Sequence, residues 1–311
     1  FSTLLDEDGR IIDDAWRDRR RGLLLRLFED VAPDAVVTEM YPFGRRPFRF
    51  ELLPLLEAAK TRRTLIASSV RDVLIAKSKP GRAEEAARIT RALYDLVLVH
   101  GDPRLIRLEA SFPQVAEIAD LIRYTGYVTE AVPVKDRVDR STGEVLVSAG
   151  GGAVGSPLLS AAVAARPLSR EGARPWRVIA GANLPEAEYA ALQRQAAGQS
   201  GLIVERFRAD FRELLARCRL SVSQGGYNTV LETLACHAPA VIVPFAEGQE
   251  SEQTDRVRLL AERGLMRFIP QDQVTPVRLA EEIDRAATMT PPALDIDLGG
   301  AARSAEILLQ A

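Results

Sequence analysis

Short apolar runs rich in β-branched residues alternate along this chain with longer stretches that have the apolar spacing of helices. This alternation is the feature that most restricts the fold. Helical patterns such as Phe48–Ala59 and Arg82–Tyr94 separate the first candidate strands. Those strands lie in Ala35–Thr38, Thr64–Ala67, Leu96–His100 and Leu121–Val128. Strands that alternate with helices predict parallel sheets with helices on both faces.

A second series of candidate strands follows the polar stretch Lys135–Gly143, which we interpret as a linker. The series comprises Glu144–Ser148, Trp176–Gly181, Leu202–Phe207, Leu220–Ser223, Ala240–Pro244 and Arg267–Ile269. We therefore predict two Rossmann-like α/β domains, at residues 1–132 and 133–311. The helical pattern at Ala301–Leu309 is expected to pack back on the N-terminal domain.

Composition excludes several classes of protein. The 311 residues carry 41 Lys and Arg against 43 Asp and Glu, a net charge of −2, whereas nucleic-acid binders usually carry a basic excess. The two cysteines, Cys218 and Cys236, have no metal-ligand spacing, which favours a reduced, cytoplasmic compartment and no metal. No apolar run approaches the roughly 18 residues of a membrane helix, so we expect at most peripheral association with a membrane.

The turn after Glu144–Ser148 is rich in glycine and precedes a helix. Glycines let backbone N–H groups approach a phosphate, and a helix N-terminus adds further N–H donors. The spacing also fits the dinucleotide fingerprint, but the next strand ends in Ala182-Asn183 rather than in an acid for the ribose. A nucleoside diphosphate is therefore favoured over NAD, and a plain connecting turn stays an alternative. The glycines are Gly150, Gly151, Gly152 and Gly155.

A second glycine-containing turn, Gln224-Gly225-Gly226, follows the strand Leu220–Ser223 and precedes a helix predicted at Val230–Cys236. Two adjacent glycines offer another backbone cradle for a diphosphate. Thr229 and Glu232 lie one turn apart, so that a hydroxyl could reach the phosphate and a carboxylate could accept hydrogen bonds from ribose hydroxyls. The same spacing fits a capping box, which is the structural alternative.

The segment from Ser223 to Gln253 resembles the C-terminal signature of family 28 glycosyltransferases. That family includes the bacterial enzyme that transfers GlcNAc to the lipid-linked muramyl precursor of peptidoglycan. The α/β pattern extends the likeness over the chain and implies the GT-B fold, two Rossmann-like domains facing across a cleft. Thr38–Leu56 and Leu96–Val128 also resemble a group of uncharacterised predicted glycosyltransferases. The matching residues are Ser223 to Glu232, Pro239, Val243-Pro244-Phe245 and Glu252-Gln253.

The resemblance implies a role for each matching residue. Gly225, Gly226 and Thr229 would lie at the diphosphate of the donor, and Glu232 would hold its ribose. Glu252 and Gln253 would read hydroxyls of the donor sugar. The whole implied donor set is Gly151, Gly152, Phe207, Arg208, Ser223, Gln224, Gly225, Gly226, Thr229, Glu232, Glu252 and Gln253.

Two departures from the family pattern leave the donor sugar open. His237 or Ala238 stands where the family often has glycine, and Asp255 replaces a common Asn. Since His237 ends a predicted helix, we expect it to cap that helix.

The N-terminal half offers weaker candidates. Arg45 and Arg46 lie among aromatic residues after the first strand. They could grip an anionic or glycosylated acceptor, or, as a structural alternative, belong to a solvated loop whose aromatic side chains lie in the core. His100 ends a strand and Asp72 follows one, so each is a candidate general base, although a lone His is more often structural. The catalytic base is therefore left unidentified.

These observations lead to the hypothesis of an inverting, metal-independent transfer of a hexose from a UDP-sugar to an unknown acceptor hydroxyl, with no further cofactor. A UDP-sugar 2-epimerase and a non-catalytic nucleotide-sugar-binding subunit are the alternatives. We also expect a strand, a glycine-rich turn and a helix upstream of Phe1, because the first strand of a doubly wound sheet is central and its loss would leave a gap in the middle of the sheet.

Overall fold

The structure is a computed structural model that describes residues 4–74, 81–129, 139–150, 155–246, 252–292 and 295–311. The chain divides into two compact units. Unit 1 comprises Phe1–Val128 and Gly299–Ala311, and unit 2 comprises Thr129–Leu298. Unit 1 is thus built from two separate parts of the sequence, whereas the sequence placed one boundary after residue 132.

Unit 1 contains a sheet of four parallel strands in the order β1-β2-β3-β4. The strands are β1 (Ala35–Glu39), β2 (Leu65–Arg71), β3 (Leu96–His100) and β4 (Ile122–Tyr124). The helices are α1 (Asp14–Val31), α2 (Arg49–Thr61), α3 (Arg82–Leu93) and, from the chain's last segment, α10 (Gly300–Gln310). The first and second helices pack on each other, and α10 places Ile307 and Leu308 against the sheet residues Ala67, Leu96 and Leu98.

Unit 2 contains six parallel strands in the order β10-β9-β8-β5-β6-β7. The strands are β5 (Val145–Ser148), β6 (Trp176–Ile179), β7 (Leu202–Glu205), β8 (Leu220–Ser223), β9 (Ala240–Ile242) and β10 (Arg267–Phe268). The helices are α4 (Ser156–Ala165), α5 (Glu186–Ala196), α6 (Phe211–Arg217), α7 (Tyr227–Ala235), α8 (Glu252–Glu262) and α9 (Pro276–Ala287). One face of the sheet packs on α4 and α9 through a large apolar core that includes Trp176.

The alternation of strands and helices predicted from the sequence is confirmed in both units. Every predicted strand segment contains a strand, and most observed strands are within two residues of the predicted ends. The four strands of unit 1 form a contiguous sheet with β1 at its edge, so there is no gap in the middle of the described sheet. The strand, turn and helix expected upstream of Phe1 stay a prediction.

No helix within the described ranges is both long enough and apolar enough to cross a bilayer. The two cysteines are free thiols and both are buried.

Candidate functional site

The centre of the unit 2 sheet is a topological switch point. The neighbouring strands β5 and β8 are followed by connections that lead to opposite halves of the sheet, to β6 on one side and β9 on the other. Open parallel sheets bind ligands in the crevice beyond the carboxyl ends of such strands. Both glycine-rich turns predicted to cradle a diphosphate start at this point, one after Ser148 and the other after Ser223.

Buried serine hydroxyls line these two strands. Ser148 and Ser223 are register partners at the ends of β5 and β8, and Ser221 lies two residues earlier on the same face. All three are at most 4% exposed. Their hydroxyl oxygens have no hydrogen-bond partner within the described structure. Because an unsatisfied buried hydroxyl costs about 1–3 kcal/mol, these groups favour a polar ligand or water at the switch point.

The turn after β5 requires glycine at two positions. Gly150 has φ +68°, a backbone conformation that L side chains rarely adopt. A Cβ atom on Gly155 would lie 2.0 Å from the Cβ of Ala149, so the turn can close onto α4 only without a side chain there. Gly151 and Gly152, the predicted diphosphate contacts, lie outside the described residues.

Helix α7 begins at Tyr227, three residues earlier than predicted, with Gly226 as its N-cap. Thr229 and Glu232 therefore lie inside the helix, and the capping-box interpretation of their spacing is wrong. Thr229 is in the first turn, where backbone N–H groups have no acceptor within the helix and can bind an anion. On the preceding Gly225, a Cβ atom would lie 3.0 Å from Val257 and 3.1 Å from Pro244, which explains why glycine occupies this packed position.

Glu232 is held by an arginine from the neighbouring helix. Nε of Arg212, on α6, donates to Oε1 of Glu232 over 2.9 Å. The glutamate side chain is 14% exposed and the arginine side chain is 49% exposed. The ion pair involves Oε1, and the carboxylate has further lone pairs on both oxygens that can accept hydrogen bonds from a diol.

The predicted sugar-reading pair begins α8 and is tied to the rest of the signature. Oε1 of Gln253 accepts from the backbone N–H of Phe245 over 3.0 Å. Oε1 of Glu252 accepts from Arg256 over 2.8 Å, and the guanidinium of Arg256 lies 5.1 Å from the ring centre of Tyr227. Arg256 thus connects the start of α8 with the start of α7, bringing the two halves of the signature together.

Phe207 and Arg208 follow β7, two strands from the switch point in the sheet. Phe207 is 69% exposed, so its ring is available to a ligand. Arg208 donates to Asp210 over 2.7 Å. The carbonyl oxygen of Arg206, the residue before Phe207, accepts a hydrogen bond from the N–H of Gly181. This backbone acceptor therefore already has a partner within the protein.

The two candidate bases of unit 1 have different surroundings. Asp72 is fully buried, with Oδ1 accepting from the N–H of Val73 and Oδ2 3.3 Å from the hydroxyl of Tyr127. His100 is half-buried, and burial lowers its pKa. A lowered pKa favours the neutral imidazole, which is the form that a general base requires.

The loop after β1 is fixed by an unusual acceptor. The carbonyl oxygen of Tyr41 accepts hydrogen bonds from the hydroxyls of Thr38, Ser68 and Tyr94 over 3.0, 2.8 and 2.9 Å. The rings of Tyr41 and Phe43 are buried in the core, as the structural alternative expected.

The two predicted acceptor-side arginines lie in this loop, and each forms an ion pair with a carboxylate. Arg45 binds Glu39 through two nitrogens, over 2.6 and 3.0 Å. Arg46 binds Glu85 on α3, and its hydrogen bond holds the pKa of that carboxyl below its ordinary value. Each guanidinium is thereby oriented by a carboxylate.

Four residues of these clusters were not identified from the sequence. Ser148 and Ser221 could have been found, since both lie in predicted strands that lead into a glycine-rich turn. Arg256 lies four residues after Glu252, a helical spacing that predicts their ion pair. Arg212 carried no local signal, because its partner Glu232 lies on another helix.

Comparison with known proteins gives a family match for part of the chain. Residues 150–294 match the glycosyltransferase family 28 C-terminal domain, which is most of unit 2. A UDP-N-acetylglucosamine–N-acetylmuramyl-(pentapeptide) pyrophosphoryl-undecaprenol N-acetylglucosamine transferase from Rhodospirillum centenum is 33% identical over 87 residues, 28% of this chain and 22% of that protein. The same transferase from Rhodopseudomonas palustris is 33% identical over 102 residues, 33% of this chain and 27% of that protein. The matches thus span about a quarter of these relatives.

Solved structures extend the likeness to the fold of both units. Acinetobacter baumannii MurG superposes with a TM-score of 0.65 at 14% identity, covering 99% of this chain and 83% of that chain. The UDP co-structure of Staphylococcus aureus MnaA gives a TM-score of 0.58 at 12% identity, covering 94% and 77%. The predicted resemblance to a family 28-like glycosyltransferase and the predicted GT-B fold are confirmed.

Proposed function

We propose that this protein is a UDP-sugar-dependent glycosyltransferase that moves a hexose to an acceptor hydroxyl with inversion and without a metal ion. The observation that carries the proposal is the switch point of unit 2. Two glycine-rich turns begin there, beside two helix N-termini and the hydroxyls of Ser148 and Ser223, which have no hydrogen-bond partner among the described residues, in the domain that matches family 28. Such an arrangement offers many neutral donors to one anionic ligand.

Each part of the donor has a matching group in unit 2. The diphosphate would lie at the N-termini of α4 and α7, with Thr229 in the first turn of α7. The ribose would bind Glu232, whose carboxylate is oriented by Arg212. Glu252 and Gln253, fixed by Arg256 and Phe245, would accept or donate to sugar hydroxyls.

These groups support transfer by a single displacement. The acceptor oxygen attacks the anomeric carbon, the bond from that carbon to the diphosphate oxygen breaks, and UDP departs with the electron pair. One attack from the opposite face inverts the anomeric configuration. Backbone N–H groups and helix dipoles stabilise the negative charge that develops on the diphosphate, a role that divalent metals have in other enzymes.

Ligand-dependent stability tests the donor assignment. UDP at about 100 times its dissociation constant should add roughly 2.7 kcal/mol to the free energy of unfolding, which raises the melting temperature visibly. NAD should add nothing, because the strand β6 is followed by Ala182 and Asn183 rather than by an acid. Equal stabilisation by NAD would contradict the proposal.

A 2-epimerase is the second candidate, because structures similar to this chain include a putative UDP-N-acetylglucosamine 2-epimerase from Listeria monocytogenes, with a TM-score of 0.57. UDP release measured with and without an acceptor panel separates the activities, since an epimerase changes UDP-GlcNAc without an acceptor. A non-catalytic binding subunit would bind UDP but show neither reaction. Complete loss of transfer in EDTA, restored by magnesium, would contradict the metal-free mechanism.

A further inference from the structure

A row of polar side chains lies along the carboxyl ends of the unit 1 strands. Glu39 and Ser69 are register partners on β1 and β2, and Ser69 is the register partner of Leu98 on β3. His100 follows Leu98 by two residues, so it lies on the same face of the sheet. The C-terminal helix α10 packs on the apolar part of this face, against Leu98 and its neighbours. The row continues that face at the carboxyl end of the strands.

His100 lies between two hydroxyls of this edge. Its Nε2 is 2.7 Å from Oγ of Ser69, and its Nδ1 is 2.9 Å from Oγ1 of Thr125. Thr125 is fully buried just after β4, whereas Ser69 and His100 are half-buried. Hydrogen bonds therefore connect a serine hydroxyl, an imidazole and a group that orients the imidazole ring. Many enzymes activate a hydroxyl by this arrangement.

The neighbours of Thr125 assign the proton positions in this chain. Its hydroxyl lies 2.8 Å from the carbonyl of Gly126 and 3.3 Å from the carbonyl of Val99. A carbonyl oxygen can only accept, so the single hydroxyl proton of Thr125 points to these carbonyls. Thr125 must then accept from Nδ1–H of His100. Nε2 consequently carries the lone pair and accepts the hydroxyl proton of Ser69.

We propose that Ser69 and His100 form a proton relay that deprotonates the acceptor hydroxyl, an inference that rests on the proposed glycosyl transfer. The acceptor O–H donates to Oγ of Ser69. As the acceptor oxygen bonds to the anomeric carbon and UDP leaves, its proton passes to Oγ of Ser69 while the Ser69 proton passes to Nε2 of His100. The imidazolium that forms still donates through Nδ1–H to Thr125.

In this relay Ser69 is the catalytic residue that contacts the acceptor, and His100 is a positioning residue that acts through it. Glu39 lies beside Ser69 on the neighbouring strand, and Arg45 holds its carboxylate. This carboxylate can accept a hydrogen bond from a second hydroxyl of the acceptor. The row therefore suits a polyhydroxylated acceptor better than a lone alcohol or an amine.

Imidazole NMR tests the proton assignment directly. The chain has only two histidines, His100 and His237, so long-range proton–nitrogen spectra contain two ring systems. We expect His100 to be neutral at pH 7.5 with its proton on Nδ1. Replacing Ser69 with Ala should shift the Nε2 resonance of His100 and leave that of His237 unchanged. A proton on Nε2 of His100 in the wild-type protein would overturn the relay.

Turnover tests its function. UDP release from UDP-GlcNAc and UDP-glucose is followed with a panel of sugar acceptors and with water. General-base catalysis contributes about 10²–10⁴-fold, so Ser69→Ala and His100→Gln should lower kcat at least 100-fold while the Kd for UDP stays within two-fold of wild type. Ser69→Thr keeps a hydroxyl and should recover part of the rate. The matched control His237→Gln should keep the wild-type rate.

The outcomes separate this inference from the proposed function. A wild-type protein that does not bind UDP contradicts the proposed function itself. UDP binding with wild-type turnover in Ser69→Ala and His100→Gln overturns the relay alone. UDP binding without turnover of any donor contradicts the proposed transfer and, with it, the relay. A parallel loss of kcat in His237→Gln would also overturn it, because the loss would then not be specific to the relay.

Discussion

The carboxyl edges of the two sheets satisfy their polar groups in opposite ways. In unit 1 the hydroxyls bond to the protein itself, since Ser68 donates to the carbonyl of Tyr41 and Ser69 bonds to His100. In unit 2 the hydroxyls of Ser148 and Ser223, the last residues of β5 and β8, have no partner within the described structure. Serines near the carboxyl ends of parallel strands are therefore saturated in one unit and unsaturated in the other.

This difference indicates which edge has buried hydroxyls that a ligand or water would satisfy. In unit 1 the hydroxyls of Ser68 and Ser69 already bond to the protein, as the proposed relay requires. Unit 2 leaves buried hydroxyls that cost about 1–3 kcal/mol each when unsatisfied, and a bound polar group can recover part of that cost. The predictions that follow run from a large change in UDP affinity to a small change in the preference for UDP over 2′-deoxy-UDP.

The largest expected effect is at Glu232. Replacing Glu232 with Ala should weaken UDP binding at least ten-fold, because a hydrogen bond to a charged group contributes about 1.5–3 kcal/mol. Isothermal titration measures the affinity, and urea unfolding reports stability. Glu213→Ala, on α6 and in an exposed pair with Arg217, is the control and should bind UDP normally. Unchanged UDP affinity in Glu232→Ala would contradict the ribose assignment.

An intermediate effect on the free energy of unfolding should distinguish the carboxyl edge of the unit 1 sheet from that of the unit 2 sheet. Ser68→Ala removes a 2.8 Å hydrogen bond and should lower the free energy of unfolding by about 0.5–1.5 kcal/mol. Ser223→Ala removes a buried hydroxyl that has no partner among the described residues, so without ligand the stability of this variant should be unchanged or slightly higher. Urea titration of both variants measures the difference. The contrast between the units would be lost if both substitutions destabilised the protein equally.

Addition of UDP sharpens the same comparison. If the ligand engages the switch-point hydroxyls, UDP should stabilise Ser223→Ala less than wild type and should stabilise Ser68→Ala as much as wild type. Melting curves at matched UDP concentrations report this. An identical UDP shift in all three proteins would place the ligand away from Ser223.

The smallest effect concerns Arg212. Its guanidinium is half-exposed, so its ion pair with Glu232 is worth roughly 0.2–1 kcal/mol. Arg212→Met should therefore weaken UDP binding by roughly two- to five-fold. Because the arginine orients the carboxylate, the preference for UDP over 2′-deoxy-UDP should fall as well. Arg217→Met, on the same helix, should leave that preference unchanged, and an unchanged preference in Arg212→Met would show that Glu232 needs no orienting partner.

Much of this architecture could be predicted because it depends on local periodicity. The short apolar runs predicted the strands, and the glycine pairs after strand ends predicted the crevice of unit 2. The fingerprint residues Gly151 and Gly152 lie outside the described residues, so their role stays a prediction.

The errors arose where local spacing fits two structures. Thr229 and Glu232 fit a capping box, but α7 begins at Tyr227 because Gly226 supplies the N-cap. The loss of a central first strand was expected to leave a gap in the middle of the unit 1 sheet, whereas the four described strands are contiguous. Neither alternative could be decided without knowing which elements pack together.

Contacts between distant residues could not be predicted at all. Arg212 meets Glu232, and His100 meets Ser69 and Thr125, through side chains that approach only after separate elements have packed. Each of these pairs joins residues at least 20 positions apart, and no single-sequence pattern encodes such a distance.

The two-part composition of unit 1 has a consequence for biosynthesis. Because α10 belongs to unit 1 although it follows unit 2 in the sequence, the ribosome makes all of unit 2 before it makes the helix that covers Ala67, Leu96 and Leu98. During translation the nascent unit 1 therefore holds an uncovered apolar surface for as long as unit 2 takes to emerge. Unit 2, whose residues are contiguous, can fold in that interval. Synthesis of unit 1 therefore begins before that of unit 2 but finishes after it.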